Sequence, residues 1–157
     1  MERRGEGMES FDFQTAIHQL HEIYEVDLVA LAMVLPEEQF LLKWKYISGN
    51  LNQQYKRIQL RTGKGVAGAV FKSGKPYIVS NVPTQIDPNK MYHYPILQFE
   101  QIKSFVALPL FKNHRVTAVL LVASREIEGA GIALYQRMMD ELGECFGPLY
   151  LQELMTN

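Results

Sequence analysis

Two apolar runs, Ile102 to Phe111 and Arg115 to Ser124, are separated only by Lys112-Asn113-His114. No other stretch restricts the fold so strongly. Runs this apolar read as strands lying inside a sheet, and a connection this short joins them as an antiparallel hairpin. An inner strand needs cover on both faces, so the remaining elements have to form two layers around it.

The rest of the chain supplies those layers. Ser10 is expected to cap a helix running to about Tyr24, with Phe13, Ile17, Leu20 and Tyr24 as its apolar stripe. Asp27 to Leu35 and Gln39 to Ser48 read as a second hairpin across Pro36-Glu37-Glu38. In its second strand Leu42, Trp44 and Tyr46 should share one face and Lys43 and Lys45 the other. Lys56 to Leu60 and Tyr77 to Val79 read as further strands. Gly129 to Leu154 reads as a closing helix striped by Leu134, Met138, Leu142 and Phe146, bent at Gly147-Pro148. The predicted class is α+β: an antiparallel sheet with the terminal helices on one face and short helices and loops forming a ligand pocket on the other. With 157 residues, 47% of them hydrophobic, the chain fits one domain over 10–157 behind a flexible, polar segment 1–9.

Composition excludes several classes of function. A net charge of −1 gives no electrostatic reason to expect nucleic acid or an anionic membrane as partner. No apolar run is long enough to span a bilayer and the N-terminus lacks a signal-peptide pattern, which points to the cytoplasm. The single cysteine, Cys145, forms no internal disulfide and falls short of a metal site. His18 and His21 lie three apart on the first helix without acidic or cysteine ligands nearby, and read as surface or partner-facing residues. His93 is expected to be solvated or capping, and His114 exposed in its turn. No set of catalytic acids, bases or nucleophiles emerges, so no enzymatic activity is expected.

The stretch with most to say about function is Leu60 to Phe71. There a strand meets a glycine turn, Gly63-Lys64-Gly65, that opens a helix from about Gly65 to Ser73, closed by Gly74-Lys75-Pro76. The first amides of a helix have no acceptor within it, and its start carries roughly half a positive charge, so a small anion is a natural guest if walls exclude water. Tyr94-Pro95-Ile96-Leu97 carries a second helix-start signal. Trp44 is read as pointing inward, and its indole N–H then needs a partner; core filler and anion donor both remain open roles. The turn-rich segment Asn81 to Pro88 is long enough to cover a pocket. Gly63-Lys64 is not followed by Ser or Thr, so the phosphate-binding Walker pattern is absent.

Gly63-Lys64-Gly65-Val66-Ala67-Gly68, Phe71-Lys72-Ser73-Gly74-Lys75-Pro76-Tyr77, Val106-Ala107-Leu108-Pro109-Leu110 and the strand Val116 to Val122 together resemble the GAF domain family over almost the whole chain. The resemblance implies a sheet of five or six antiparallel strands with a ligand pocket between the sheet and the short helices. Within the family the pattern is similar to single-domain nitrate receptors that modulate a sensor histidine kinase in two-component control of nitrate respiration in bacteria. It implies a nitrate, or another small monovalent anion such as iodide, held by Trp44, the amides of Val66 and Ala67, and the second helix start at Pro95 and Ile96, with Tyr94 beside it. No cofactor or metal is implied. Cyclic-nucleotide binding is disfavoured, because Asn89-Lys90 and Phe99 are not followed by an Asp-Glu pair. The methionine-sulfoxide reductase branch depends on several cysteines. Two alternatives stay open: a ligand-free module that docks or forms homodimers through its terminal helices, and a sensor of a different small molecule.

Overall fold

The computed structural model describes residues 10–38 and 41–152; the segments 1–9 and 153–157 lie outside the described residues. Helix α1 spans Phe13–Tyr24, and the Asp12 side chain, not Ser10, caps it by accepting the Thr15 N–H at 3.0 Å. Strands β1 (Leu28–Leu35) and β2 (Leu41–Ser48) form the first hairpin, and β4 (Ser104–Lys112) and β5 (Arg115–Ser124) the second. Between the hairpins lie α2 (Gly65–Ser73), β3 (Tyr77–Val79), α3 (Val82–Gln85) and α4 (Pro95–Phe99). Helix α5 (Ile132–Leu142) and the two short strands β6 (Cys145–Phe146) and β7 (Leu149–Tyr150) follow.

Among the described residues these strands make one antiparallel sheet of seven, ordered β2-β1-β5-β4-β7-β6, with β3 also paired to β4. The second hairpin sits at its centre. Its two-residue turn, Asn113 and His114, has positive φ at both positions (54° and 65°), matching the right-handed twist of the strands it joins. On one face of the sheet Phe13, Ile17 and Leu20 of α1 and Met138 of α5 pack on Leu31, Val106 and Leu120. Each such fully buried side chain contributes about 1.5–3 kcal/mol. On the other face Val66, Ala67 and Val70 of α2 and Ile96 of α4 pack on Ala30, Ala107 and Leu121.

Four local expectations are corrected. Tyr46 does not share a face with Leu42 and Trp44. The register shifts so that Leu31 opposes Tyr46 and Ala32 opposes Trp44, leaving Lys45 as the extra residue of a β-bulge. Tyr46 therefore joins the α1 face, its ring 5.5 Å from that of Phe13. Lys56 to Leu60 is not a strand: Gln54–Arg57 forms a 3-10 turn, and only Leu60 pairs, exchanging two backbone hydrogen bonds with Leu42 at 2.8 and 3.0 Å. The closing helix stops at Gly143, with φ of 75°, instead of reaching residue 154. Gly147 and Pro148 turn the β6–β7 hairpin, and Cys145 lies exposed in a strand, not on a helix. The segment Asn81 to Pro88 is not an open loop, since the Asn81 side chain caps α3 and a 3-10 turn follows at Pro88–His93.

Candidate functional site

The glycine turn is fixed by contacts that a side chain would break. Gly63 and Gly65 hold φ of 81° and 66°, and the Gly63 N–H donates to the Gly68 carbonyl at 2.8 Å. A Cβ on Gly68 would stand 2.4 Å from the Arg61 carbonyl oxygen. Because that obstacle is backbone, Gly68→Ala is expected to cost about 1–3 kcal/mol in a urea titration, the scale of an overpacked interior.

This turn delivers the start of α2 into the apolar layer. Val66 and Ala67 are fully buried, and Lys64 at the N-cap provides no side-chain hydrogen bond. The first amides of α2 have no intrahelical acceptor by the geometry of a helix start. The start of α4 comes alongside: a Cβ on Gly65 would stand 3.6 Å from the His93 carbonyl oxygen. Pro95 has no N–H, and the amides of Leu97 and Gln98 both donate to the Tyr94 carbonyl at 3.0 and 3.3 Å. Ile96, 1% exposed, is therefore the residue of this start whose N–H is not taken up by the Tyr94 carbonyl.

Trp44 belongs to the same buried cluster as Val66, Ala67 and Ile96, with Tyr94 packed at its margin. Its side chain is 3% exposed, and its indole N–H has no hydrogen-bond partner. A buried donor left unsatisfied costs about 1–3 kcal/mol, so this one calls for an acceptor. The structure thus gathers Trp44, the pair Val66 and Ala67, and Ile96 with Tyr94, three stretches remote from one another in sequence, into one apolar neighbourhood, while Pro95 is only partly buried and is not part of that cluster. Lys64 and His93, which precede the two helix starts, are exposed. The His93 ring instead lies 4.2 Å from that of Tyr92.

The Tyr94 phenol stands close enough to that of Tyr77 to affect its ionisation. Burial first, and then Tyr94, push the Tyr77 hydroxyl up to about 12 from its ordinary 10.0. Burial chiefly does the same for Tyr24, also up to about 12. A raised phenol favours the neutral form in the folded state, so its contribution is intact below pH 10 and is lost as pH rises from 10 towards 12. Urea midpoints are expected to fall across that window, and less steeply for Tyr77→Phe.

Other openings lie apart from this neighbourhood or only touch it. A cavity of about 750 Å³ is lined by Val34, Phe71, Arg115 and Val116. Helix α3 borders one of about 330 Å³ with Met91, Leu97 and Ile102. A surface groove of about 360 Å³ between Glu37, Lys43, Lys45 and Lys56 reaches Trp44 from outside. His18 and His21 are not simple surface residues, since both Nδ1 atoms meet the Ser48 hydroxyl, at 2.8 and 2.7 Å.

Three residues near the site escaped the sequence reading. Tyr77 is one; Glu100 and Arg125 are the others. Glu100 is fully buried and its Oε1 accepts from Arg125 Nη2 at 2.8 Å and from the Leu51 N–H at 2.7 Å. Nothing in the local sequence distinguishes Glu100 from a solvated acid at a helix end. Among the described residues no group of three or more potential metal ligands comes together, and no helix is long and apolar enough to cross a membrane.

An antiparallel sheet with helices on both faces, and an apolar cluster under the short middle helices, is the architecture of a GAF domain. The GAF domain family matches residues 13–147, and the chain belongs to it. Among solved structures it is similar to an NreA protein from Staphylococcus aureus mutated in its nitrate-binding site, at 34% identity and a TM-score of 0.71, over 77% of this chain and 88% of that one. A hypothetical protein from Staphylococcus aureus is similar at 35% identity and a TM-score of 0.70, over 73% of this chain and 93% of that one. A free methionine-R-sulfoxide reductase from Neisseria meningitidis, at 21% identity and a TM-score of 0.59 over 73% and 62%, shares the fold alone. Comparison with curated proteins finds no match.

Proposed function

We propose that this GAF domain is a cytoplasmic nitrate receptor that performs no chemistry on its ligand and modulates a sensor histidine kinase. The observation that carries the reading is the buried, unpartnered indole N–H of Trp44 in one cluster with the starts of α2 and α4. The 34% identity to an NreA protein described by its nitrate-binding site supports it. Nitrate is planar, singly charged and weakly hydrated. Neutral N–H donors in an apolar enclosure can hold it without the desolvation cost of burying a lysine or arginine beside it. The dipole of α2 adds about 0.3–2 kcal/mol in favour of an anion at its start. Phosphate, larger and more highly charged, needs more donors than Trp44, Val66, Ala67 and Ile96 provide.

In this reading nitrate bridges β2 through Trp44, α2 through Val66 and Ala67, and α4 through Ile96. Occupied and empty receptors then present different surfaces to the kinase, which is what a change in partner affinity requires. Calorimetric titration tests the reading: nitrate, and more weakly iodide, should give saturable heat where chloride, sulfate and phosphate give none. No heat at millimolar nitrate would remove the proposal and leave a docking or dimerisation module. Trp44→Phe should retain most of the packing and lose one donor, weakening nitrate by about 1–3 kcal/mol, roughly five- to 150-fold in Kd. Unchanged affinity would return Trp44 to the core.

A further inference from the structure

Helix α4 has five residues, too few to be stable by its own hydrogen bonds. Yet in the reading above its first turn has to hold one N–H at a fixed station. What secures the helix is at its other end. Glu100 follows α4 directly, and its N–H donates to the carbonyl of Ile96 itself at 3.1 Å. Its side chain is buried completely, and the Arg125 guanidinium grips it twice, Nη2 on Oε1 and Nε on the main-chain carbonyl, both at 2.8 Å.

Arg125 also reaches away from the ligand neighbourhood. Nη2 donates to the Gly49 carbonyl at 2.9 Å, and the Arg125 N–H to Asp27 Oδ2 at 2.7 Å. Asp27 lies just before β1, and Gly49 just after β2, the strand that carries Trp44. Gly49 follows Ser48, whose hydroxyl meets His18 and His21 of α1, and a Cβ on Gly49 would stand 2.9 Å from the His21 ring. One residue therefore joins the end of α4 and the end of β2 through its guanidinium, and the junction between α1 and β1 through its backbone N–H. As a device for stability alone the pair is incomplete, because Glu100 Oε2 is buried without a partner.

We infer that Glu100 and Arg125 are positioning residues for the anion site: they hold Ile96 at its station, and they link occupancy of the site to the α1–β1 junction on the opposite side of the sheet. The inference rests on the nitrate reading. A linked pair of sites obeys a reciprocal rule, so whatever loosens the junction weakens the anion by the same factor that the anion tightens the junction. The backbone amide of Leu51, just beyond the end of β2, donates to Glu100 Oε1 and is the natural reporter of how firmly Glu100 is held against that strand end.

The test uses the full chain, whose only tryptophan is Trp44, so that intrinsic fluorescence follows nitrate titration directly. Glu100→Gln keeps the shape and removes the charge, whereas Arg125→Lys keeps the charge and removes the planar fork. Met138→Ala, in the core on the α1 face, is the control for general destabilisation. At a temperature where circular dichroism shows each variant folded, Glu100→Gln and Arg125→Lys should raise the nitrate Kd about tenfold, within the usual range for coupled sites. Met138→Ala should leave it within about twofold, since distant sites with no shared partners act independently. Nitrate should also slow hydrogen exchange at the Leu51 amide in the unmodified protein and not in Glu100→Gln. Unchanged Kd in both site variants, an equal loss in Met138→Ala, or no nitrate effect on Leu51 exchange would each overturn the inference. If Glu100→Gln fails to fold, Arg125→Lys and the Leu51 measurement decide it. Failure of the unmodified protein to respond to nitrate would overturn the underlying reading as well, and is a separate outcome.

Discussion

Ala67→Pro is expected to abolish nitrate binding in a protein that still folds. Ala67 is the third residue of α2, and proline is tolerated in the first turn of a helix because the missing N–H has no intrahelical acceptor there. The substitution therefore removes the donor that the nitrate reading assigns to the anion, without removing a hydrogen bond from the helix. Two added ring carbons also intrude into a fully buried position, narrowing the space left for a guest. Ala67→Gly is the companion, since it retains the amide and should retain binding. Calorimetry and circular dichroism on the two variants separate loss of the donor from loss of the fold. Nitrate heat persisting in folded Ala67→Pro would place the anion elsewhere.

Removal of the cation facing Glu100 should have the largest effect on stability. Arg125→Met is expected to lower the free energy of unfolding by about 3–5 kcal/mol, the usual cost of leaving a buried charge uncompensated. Glu100 is completely buried and has Arg125 as its ion-pair partner, and the same side chain also satisfies the Gly49 and Glu100 carbonyls. Adding Glu100→Gln to Arg125→Met should recover part of that loss, because the stranded charge is then gone, and a double-mutant cycle measures how much. Arg137 and Glu141 make the instructive contrast. Both are about half exposed, at 49% and 47%, so Arg137→Met should move the urea midpoint very little. Equal effects at the two arginines would mean that the Glu100 carboxylate is not in fact stranded by the change.

These two expectations meet at α4, whose start lies beside that of α2 and whose end is followed by Glu100. The N–H of Ile96 and the carbonyl of Ile96 lie on the same residue, the first in the ligand neighbourhood and the second bonded to Glu100. Interference at one end is for that reason expected to be felt at the other.

The sequence by itself determined whatever rests on neighbouring residues. The span of α2, its glycine entrance and its Gly74 exit, the start of α4 at Pro95 and the central hairpin all follow from backbone angles that only certain residues adopt, or from unbroken apolar runs; pairing with Arg115 then draws Lys112 out of the expected turn and into β4. Cover on both faces follows as well, because the hairpin is too apolar to leave either side wet. Tertiary structure alone decided the rest. The bulge at Lys45 sends Tyr46 to the opposite face from Trp44, and a bulge is set by how two strands register, not by either one's composition. Lys56 to Leu60 lacks a second strand alongside it and contributes a single bridge. Beyond Gly143 the chain turns to pair with the edge of the sheet, which ends a helix that periodicity would have extended. The unpartnered indole, the two histidines on Ser48 and the burial of Glu100 beside Arg125 depend on residues 25 to 50 or more positions apart in several cases, such as Gly49 and Arg125. Long-range juxtaposition leaves no mark on local sequence, because a solvated glutamate and a buried one are the same letter until the chain has folded around it.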